Sequence, residues 1–225
     1  EFPPLHPQRI REQGYRYVIA YLRHNLEHAG ILRIDHVMGL HRLFCIPRGM
    51  DSSQGVYLRY HSEELYAILA LESQRHKTII VGEDLGIVPR YVRPAMKNHA
   101  FKSMYVLRYE LAADVQKGIN PILPDSVASL NTHDMPPFAS FWQGSDIEER
   151  LKLGLLNGAS AQAERDNLPN VKRVLTNVLR GGGWLQESEE SIIAVLKACL
   201  AALAASRAQI ILVNLEDLWL ETQPQ

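Results

Sequence analysis

The sequence predicts an α/β fold built on a parallel sheet or barrel. Two observations carry this. Short apolar, β-rich runs alternate with longer stretches at helical spacing, and no repeat of fixed period interrupts the alternation. Several of the short runs also end in a polar or acidic residue, the place where parallel α/β folds build their sites.

The elements follow in order. Residues 10–29 read as a helix, because Val18, Leu22 and Leu26 recur every fourth residue and Gly30 is a good stop. Ile31-Leu32-Arg33-Ile34-Asp35 is a short apolar run with a polar end, hence a strand. A loop rich in Pro, Gly, Asp and Ser spans residues 47–55. Ser62-Glu63-Glu64 opens a second helix with a capping residue and acids in its first turn. Thr78 to Gly82 is the next strand and ends at Glu83-Asp84, and Pro89 begins a short helix. Residues 104–109 read as a strand, and Ser126 to Leu130 as a weaker one that ends at Asn131-Thr132-His133-Asp134. Residues 147–180 are helical with a break near Asn167-Leu168-Pro169, and Gly181 to Gly183 form a turn. An alanine-rich helix over 187–206 and a last strand over 209–213, ending at Asn214-Leu215-Glu216-Asp217, complete about five strands.

Composition narrows the function. At 46% apolar and 22% charged residues, the chain belongs with globular proteins and has ample material for a core. A net charge of −1 gives it no pull toward nucleic acid or an anionic membrane. Cys45 and Cys199 lack metal or disulfide-framework spacing, so a reducing, cytoplasmic setting is expected. The N-terminus does not read as a signal peptide, and the apolar run from Ile192 to Leu203 is too short to span a bilayer.

Asp35, Glu83, Asp134 and Asp217 would gather on one rim if the strands are parallel. Two carboxylates flanking a glycosidic bond about 5–5.5 Å apart serve a retaining mechanism as nucleophile and general acid/base. Neighbouring strands lie roughly 4.8 Å apart, so the fold provides nearly that spacing. Asp35 and Glu83 end consecutive expected strands, and Asp134 could hold sugar hydroxyls around the distorted ring. Arg33, two residues before Asp35, points to the same face and would keep that carboxylate ionised. Glu83 as an acid would need burial or nearby negative charge to hold its proton. Taken singly, each acid at a strand end is more often a helix cap or a salt-bridge partner, and His133 alone is more often structural. His24 and His28, with His36 and His41 nearby, lack a third ligand at metal spacing, so no metal site is expected. The triple glycine lacks the Lys-Ser/Thr of a phosphate loop.

These residues form a pattern. Arg33-Ile34-Asp35-His36 with Gly39-Leu40, Gly82-Glu83-Asp84-Leu85-Gly86 and Asn131-Thr132-His133-Asp134 resemble three motifs of the amylomaltase (4-α-glucanotransferase, disproportionating enzyme) family, glycoside hydrolase family 77 of the α-amylase clan. The flanks Phe2 to Pro7, Arg11 to Arg16 and Leu215 to Trp219 are similar as well, so the resemblance runs end to end. It implies a (β/α)₈ TIM barrel with extra helices, here in part, roughly from the fourth strand to the eighth. Residues 1–225 would then be the C-terminal part of one catalytic barrel domain, truncated at both ends and not expected to be active alone. By the same resemblance Asp35 matches the nucleophile, Glu83 the acid/base and Asp134 the transition-state stabiliser. Arg33 and His133 match sugar-contacting residues. The implied reaction transfers α-1,4-glucan segments between maltodextrin or starch chains in the bacterial cytoplasm, with maltooligosaccharides as donor and acceptor and no metal or organic cofactor. A hydrolase of the same clan and an inactive piece are the readings from which this must be told apart.

Overall fold

A computed structural model of the chain describes residues 4–113 and 119–223. Phe2 and Pro3 of the first flank, and Pro224-Gln225 at the other end, lie outside the described residues. The chain divides into two compact units, Glu1–Met104 and Tyr105–Gln225.

The first unit runs through α1 (Pro7–Glu12), α2 (Arg16–Leu26), β1 (Ile31–Ile34), β2 (Arg42–Cys45), β3 (Val56–Arg59), α3 (Ser62–His76), β4 (Ile79–Gly82) and α4 (Val92–Asn98). The single helix expected over residues 10–29 is two helices. Gly14 and Tyr15 both take left-handed backbone angles, with φ of 60° and 55°, and this breaks the ladder between α1 and α2. The apolar stripe that predicted a helix survives in α2, where Val18, Leu22 and Leu26 are buried. It packs against Leu65, Tyr66 and Leu69 of α3 and Ile80 of β4 in one core. Glu72, also on the buried side of α3, takes two hydrogen bonds from Arg23 of α2 at 2.8 and 2.9 Å and one from Arg75 at 2.8 Å. A buried carboxylate needs this number of charged donors.

β1 and β4 pair in parallel, with Ile31 opposite Ile79 and Ile34 opposite Gly82. Gly82 has no room for a side chain. A Cβ there would stand 2.8 Å from both Met96 Cε and Val37 Cγ2. β2 and β3 form an antiparallel hairpin that the sequence reading missed, although its loop over residues 47–55 was anticipated. Phe44 sits opposite Tyr57 on one face of it, and the Phe44 ring fills the space that a side chain at residue 55 would occupy. Pro89 does not start α4; its carbonyl closes a turn onto Val92 N–H at 3.0 Å, where the helix begins.

β5 (Ser103–Val106) leads into the second unit. There α5 (Leu107–Ala113), β6 (Ser126–Ser129), α6 (Phe138–Gln143), α7 (Ser145–Lys152), α8 (Gly158–Gly181), α9 (Ile192–Ala204), β7 (Ile210–Leu212) and α10 (Leu215–Leu218) follow. The strand order is β5-β6-β7, with β6 and β7 parallel. The strand expected over residues 104–109 stops at Val106. Leu107 and Leu111 are both buried one helical turn apart, so the chain goes helical at once. No break occurs near Pro169, which lies inside α8. It faces solvent, so water can satisfy the carbonyl its missing N–H abandons. Leu175 and Leu179 are buried after it and Ala161 before it, which holds the helix on both sides. α9 starts at Ile192 and not near 187, because the Ser191 side chain caps it by accepting Ala194 N–H at 3.3 Å. Phe138, Leu175, Leu179, Val195, Cys199 and Leu203 form this unit's core. No helix among the described residues is long and apolar enough to cross a membrane.

Candidate active site

In the first unit, the register of β1 and β4 sends Asp35 and Glu83 off the sheet side by side. The pairing continues past the strands: Glu83 N–H donates to the Ile34 carbonyl at 2.9 Å, and Val37 N–H donates to the Glu83 carbonyl at 3.1 Å. Between them His36 adopts a left-handed backbone with φ of 46°, an uncommon state for a residue with a side chain. That turn aims its N–H at Glu83 Oε2, 3.0 Å away, while Oε1 accepts Leu85 N–H at 2.7 Å. Both oxygens of Glu83 are thus fastened to backbone.

Asp35 is 75% exposed and is held by Arg33, whose Nη2 lies 2.6 Å from Oδ1. This is the pairing expected from their i, i+2 spacing. Arg33 Nε is buried and makes no hydrogen bond. Asp35 and His36 border an apolar pocket of about 300 Å³ with Ile34, Leu40, Leu43 and Leu65. Glu83 is half-buried. Asp84, next in the motif, turns inward. It is 1% exposed, accepts Met104 N–H at 2.9 Å and Arg93 Nε at 2.8 Å, and so anchors the strand end that carries Glu83.

In the second unit, β6 is fully buried, and Leu130, Asn131 and Thr132 beyond it remain so. His133 and Asp134 then emerge, with their side chains 69% and 74% exposed and His133 Nε2 3.3 Å from Asp134 Oδ1. They border a pocket of about 430 Å³ with Asp146, Glu149, Arg150 and Glu216. Asp146 is buried beside Arg150, which also binds Glu164; burial pushes the Asp146 carboxyl up against the pull of Arg150. Arg108 donates to the Pro136 carbonyl at 2.5 Å and lies over the Phe141 ring. Its burial pushes the guanidinium down to about 10, opposed by the charges of Asp146 and Asp217.

The structure therefore brings Arg33, Asp35 and Glu83 together in one unit, and His133 and Asp134 together in the other. Sequence reasoning missed the inward-facing partners. Asp84 and Asn131 stand inside quoted motifs but are fully buried, and a motif does not tell which of its residues turns in. The role of Asp217 was open in the sequence; its carboxyl accepts Phe138 N–H at 2.7 Å, at the start of α6. Among the described residues no group of three or more His, Cys, Asp or Glu could hold a metal ion. The His24 and His28 rings meet edge to face at 6.0 Å.

A family model described as 4-alpha-glucanotransferase, glycoside hydrolase family 77, matches residues 1–225. The chain is 38% identical over 183 residues to the 4-alpha-glucanotransferase of Haemophilus influenzae, covering 81% of this chain and 26% of that protein. It is 35% identical over 207 residues to the Mycobacterium tuberculosis H37Rv 4-alpha-glucanotransferase, covering 87% of this chain and 28% of that one. Among solved structures, amylomaltase from Corynebacterium glutamicum superposes with a TM-score of 0.85 at 29% identity, over 94% of this chain and 32% of that one. Amylomaltase from Streptococcus agalactiae, in complex with acarbose, has a TM-score of 0.67 at 16% identity over 94% of this chain and 37% of its own, a likeness of fold. The chain thus spans between a quarter and two fifths of the length of these proteins. The fold class is α/β, corresponding to part of a (β/α)₈ barrel.

Proposed function

The chain belongs to the 4-alpha-glucanotransferase family, and on that premise we propose that it is the part of a cytoplasmic glucanotransferase that supplies the catalytic carboxylates. Residues 1–225 would belong to one catalytic barrel domain. The full-length protein would move α-1,4-glucan segments from one maltodextrin or starch chain to the 4-hydroxyl of another.

Two carboxylates suffice for the double displacement. Asp35 attacks the anomeric carbon and forms a glucosyl ester as Glu83 gives its proton to the leaving glycosidic oxygen. Glu83, now ionised, takes the proton of the incoming sugar hydroxyl, which attacks the same carbon and releases Asp35. Arg33 holds Asp35 in place by its ion pair. Asp134 stabilises the positive charge that develops on the ring, and His133 beside it contacts sugar hydroxyls. Transfer prevails over hydrolysis where an acceptor sugar excludes water from the intermediate.

The observation that carries this reading is the in-register ending of β1 and β4, which sets Asp35 and Glu83 on neighbouring strand ends. The test feeds the full-length protein maltotriose. Glucose together with a ladder of longer maltodextrins is expected. Glucose and maltose with nothing longer would replace transferase by hydrolase.

A further inference from the structure

We infer that Asn214, on the turn from β7 into α10, and Asp217, within α10, are positioning residues that fix the loop carrying His133 and Asp134. The inference rests on the catalytic reading above, because it assigns the loop a reason to be held still. The loop emerges from β6 and ends at α6, and its two site side chains are mostly solvated. Among the described residues, the His133–Asp134 pair is joined by one further side-chain contact, a long 3.3 Å bond from Asp134 N–H to Thr132 Oγ1. Whatever sets the position of the Asp134 carboxylate must therefore act through the backbone on either side of it.

Both sides are tied down, and to the same segment. At the near end Asn214 Nδ2 donates to Asn131 Oδ1 at 2.7 Å, and Asn131 is 2% exposed. At the far end the Asp217 carboxylate, 1% exposed, accepts Phe138 N–H at 2.7 Å. Phe138 is itself fully buried, so this amide has no recourse to water if its acceptor is removed. Between the two ties, Arg108 holds the Pro136 carbonyl. Asn131 Nδ2 is buried without a hydrogen bond of its own, and burial pushes the Asp217 carboxyl up against the pull of the Phe138 N–H. Both ties are thus buried and both come from the segment that follows β7. β7 pairs in parallel with β6, with Ser129 opposite Leu212, so the turn that follows β7 lies beside the loop that follows β6. Pairing of the strands brings the anchors to the loop, and no contact with substrate is needed for them to matter.

The test uses the full-length protein and two readouts. Amide hydrogen exchange over residues 131–138 reads the anchoring itself, independently of catalysis. Initial rates on maltotriose, expressed per folded molecule, read its consequence. Asp217→Ala should speed exchange in this loop and lower kcat on the order of 100-fold with little change in KM, the cost of a displaced catalytic group. Asp217→Asn keeps an oxygen for Phe138 N–H and should restore most of the rate. Asn214→Ala, which frees only the Asn131 end, should show the same changes at smaller size, and it decides the matter if Asp217→Ala does not fold. A purely structural role would lower the folded fraction and leave kcat of the folded molecules intact, which overturns the inference. So does unchanged exchange over residues 131–138 in Asn214→Ala and Asp217→Ala alike. If the unmodified protein makes no longer maltodextrins, the catalytic reading fails, while the exchange data still judge the anchoring.

Discussion

Replacing Gly82 by alanine tests how tightly the two strand ends are fitted together. The new Cβ would stand 2.8 Å from Met96 Cε and from Val37 Cγ2, and 3.1 Å from Val37 Cβ. Ordinary carbon contacts are roughly 3.5–4.0 Å, so about 0.7–1.2 Å must be found at the two closest atoms. The Met96 methyl ends a flexible chain and can move. Val37 cannot easily do so: it is β-branched, fully buried, and its N–H is bonded to the Glu83 carbonyl. Overpacking of this kind costs about 1–3 kcal/mol. Loss of glycine's freedom in the unfolded chain returns about 0.4–1 kcal/mol. The net expectation is a destabilisation of roughly 0–2.6 kcal/mol, and a fall in transfer rate of about 10–100-fold because the push lands between the segments bearing Asp35 and Glu83. Urea unfolding and maltotriose kinetics on the full-length protein measure both. Gly30→Ala is the control: it precedes β1, has nothing within 4 Å, and should stay within about 0.5 kcal/mol of the parent. A Gly82→Ala protein as stable and as active as the parent would refute the packing argument.

Asp35→Asn should abolish transfer, since an amide oxygen does not form the glucosyl ester efficiently; mass spectrometry with a slow glycosyl donor should then find no adduct at residue 35. Glu83→Gln should be severely impaired on maltodextrins but partly rescued on glycosides whose leaving groups need no protonation, and equal impairment on both would contradict the acid role. Glu72→Ala should cost about 1.5–3 kcal/mol, the usual worth of hydrogen bonds to a charged group, toward the low end because Arg23 and Arg75 can return to water. The hydrogen bond from Arg23, against the cost of burial, holds the Glu72 carboxyl below its ordinary 4.5. Its contribution to stability is therefore present above about pH 4.5 and is lost as pH falls through the lower folded-state value, so Glu72→Gln should flatten the acid limb of a stability–pH curve. Burial pushes the Cys199 thiol up to about 12, so a thiol reagent at pH 8 should label half-buried Cys45 and leave Cys199 untouched until the protein is denatured.

The parallel α/β character and the placement of Asp35 and Glu83 were legible in the sequence for a simple reason. A short apolar run marks a strand, and the first polar residue after it marks its end, as at Ile34-Asp35 and Gly82-Glu83. The hairpin of β2 and β3 was not legible, because its strands are short and half-exposed and leave no clean alternation. The ends of helices failed where the backbone and not the side chains decided: at Gly14-Tyr15, where a left-handed pair splits one apolar stripe, and at Pro169, where solvent tolerates a proline inside α8. The roles of Asp84, Asn131 and Asp217 were hidden for a different reason. Each is a polar residue buried by partners distant in sequence, Met104, Asn214 and Phe138 respectively, and no local pattern records them.

The bond from His36 N–H to Glu83 Oε2 has a consequence for genetics at these two positions. The carboxylate of one strand end serves as a peg for the turn that displays the other. Cutting back residue 83 to alanine would therefore remove a proton donor and also let the display of Asp35 wander. A second lesion at residue 35 would then find part of its damage already done. Penalties measured one at a time should overestimate the doubly altered enzyme's loss, and the shortfall would gauge how far the pair works as a single machine part.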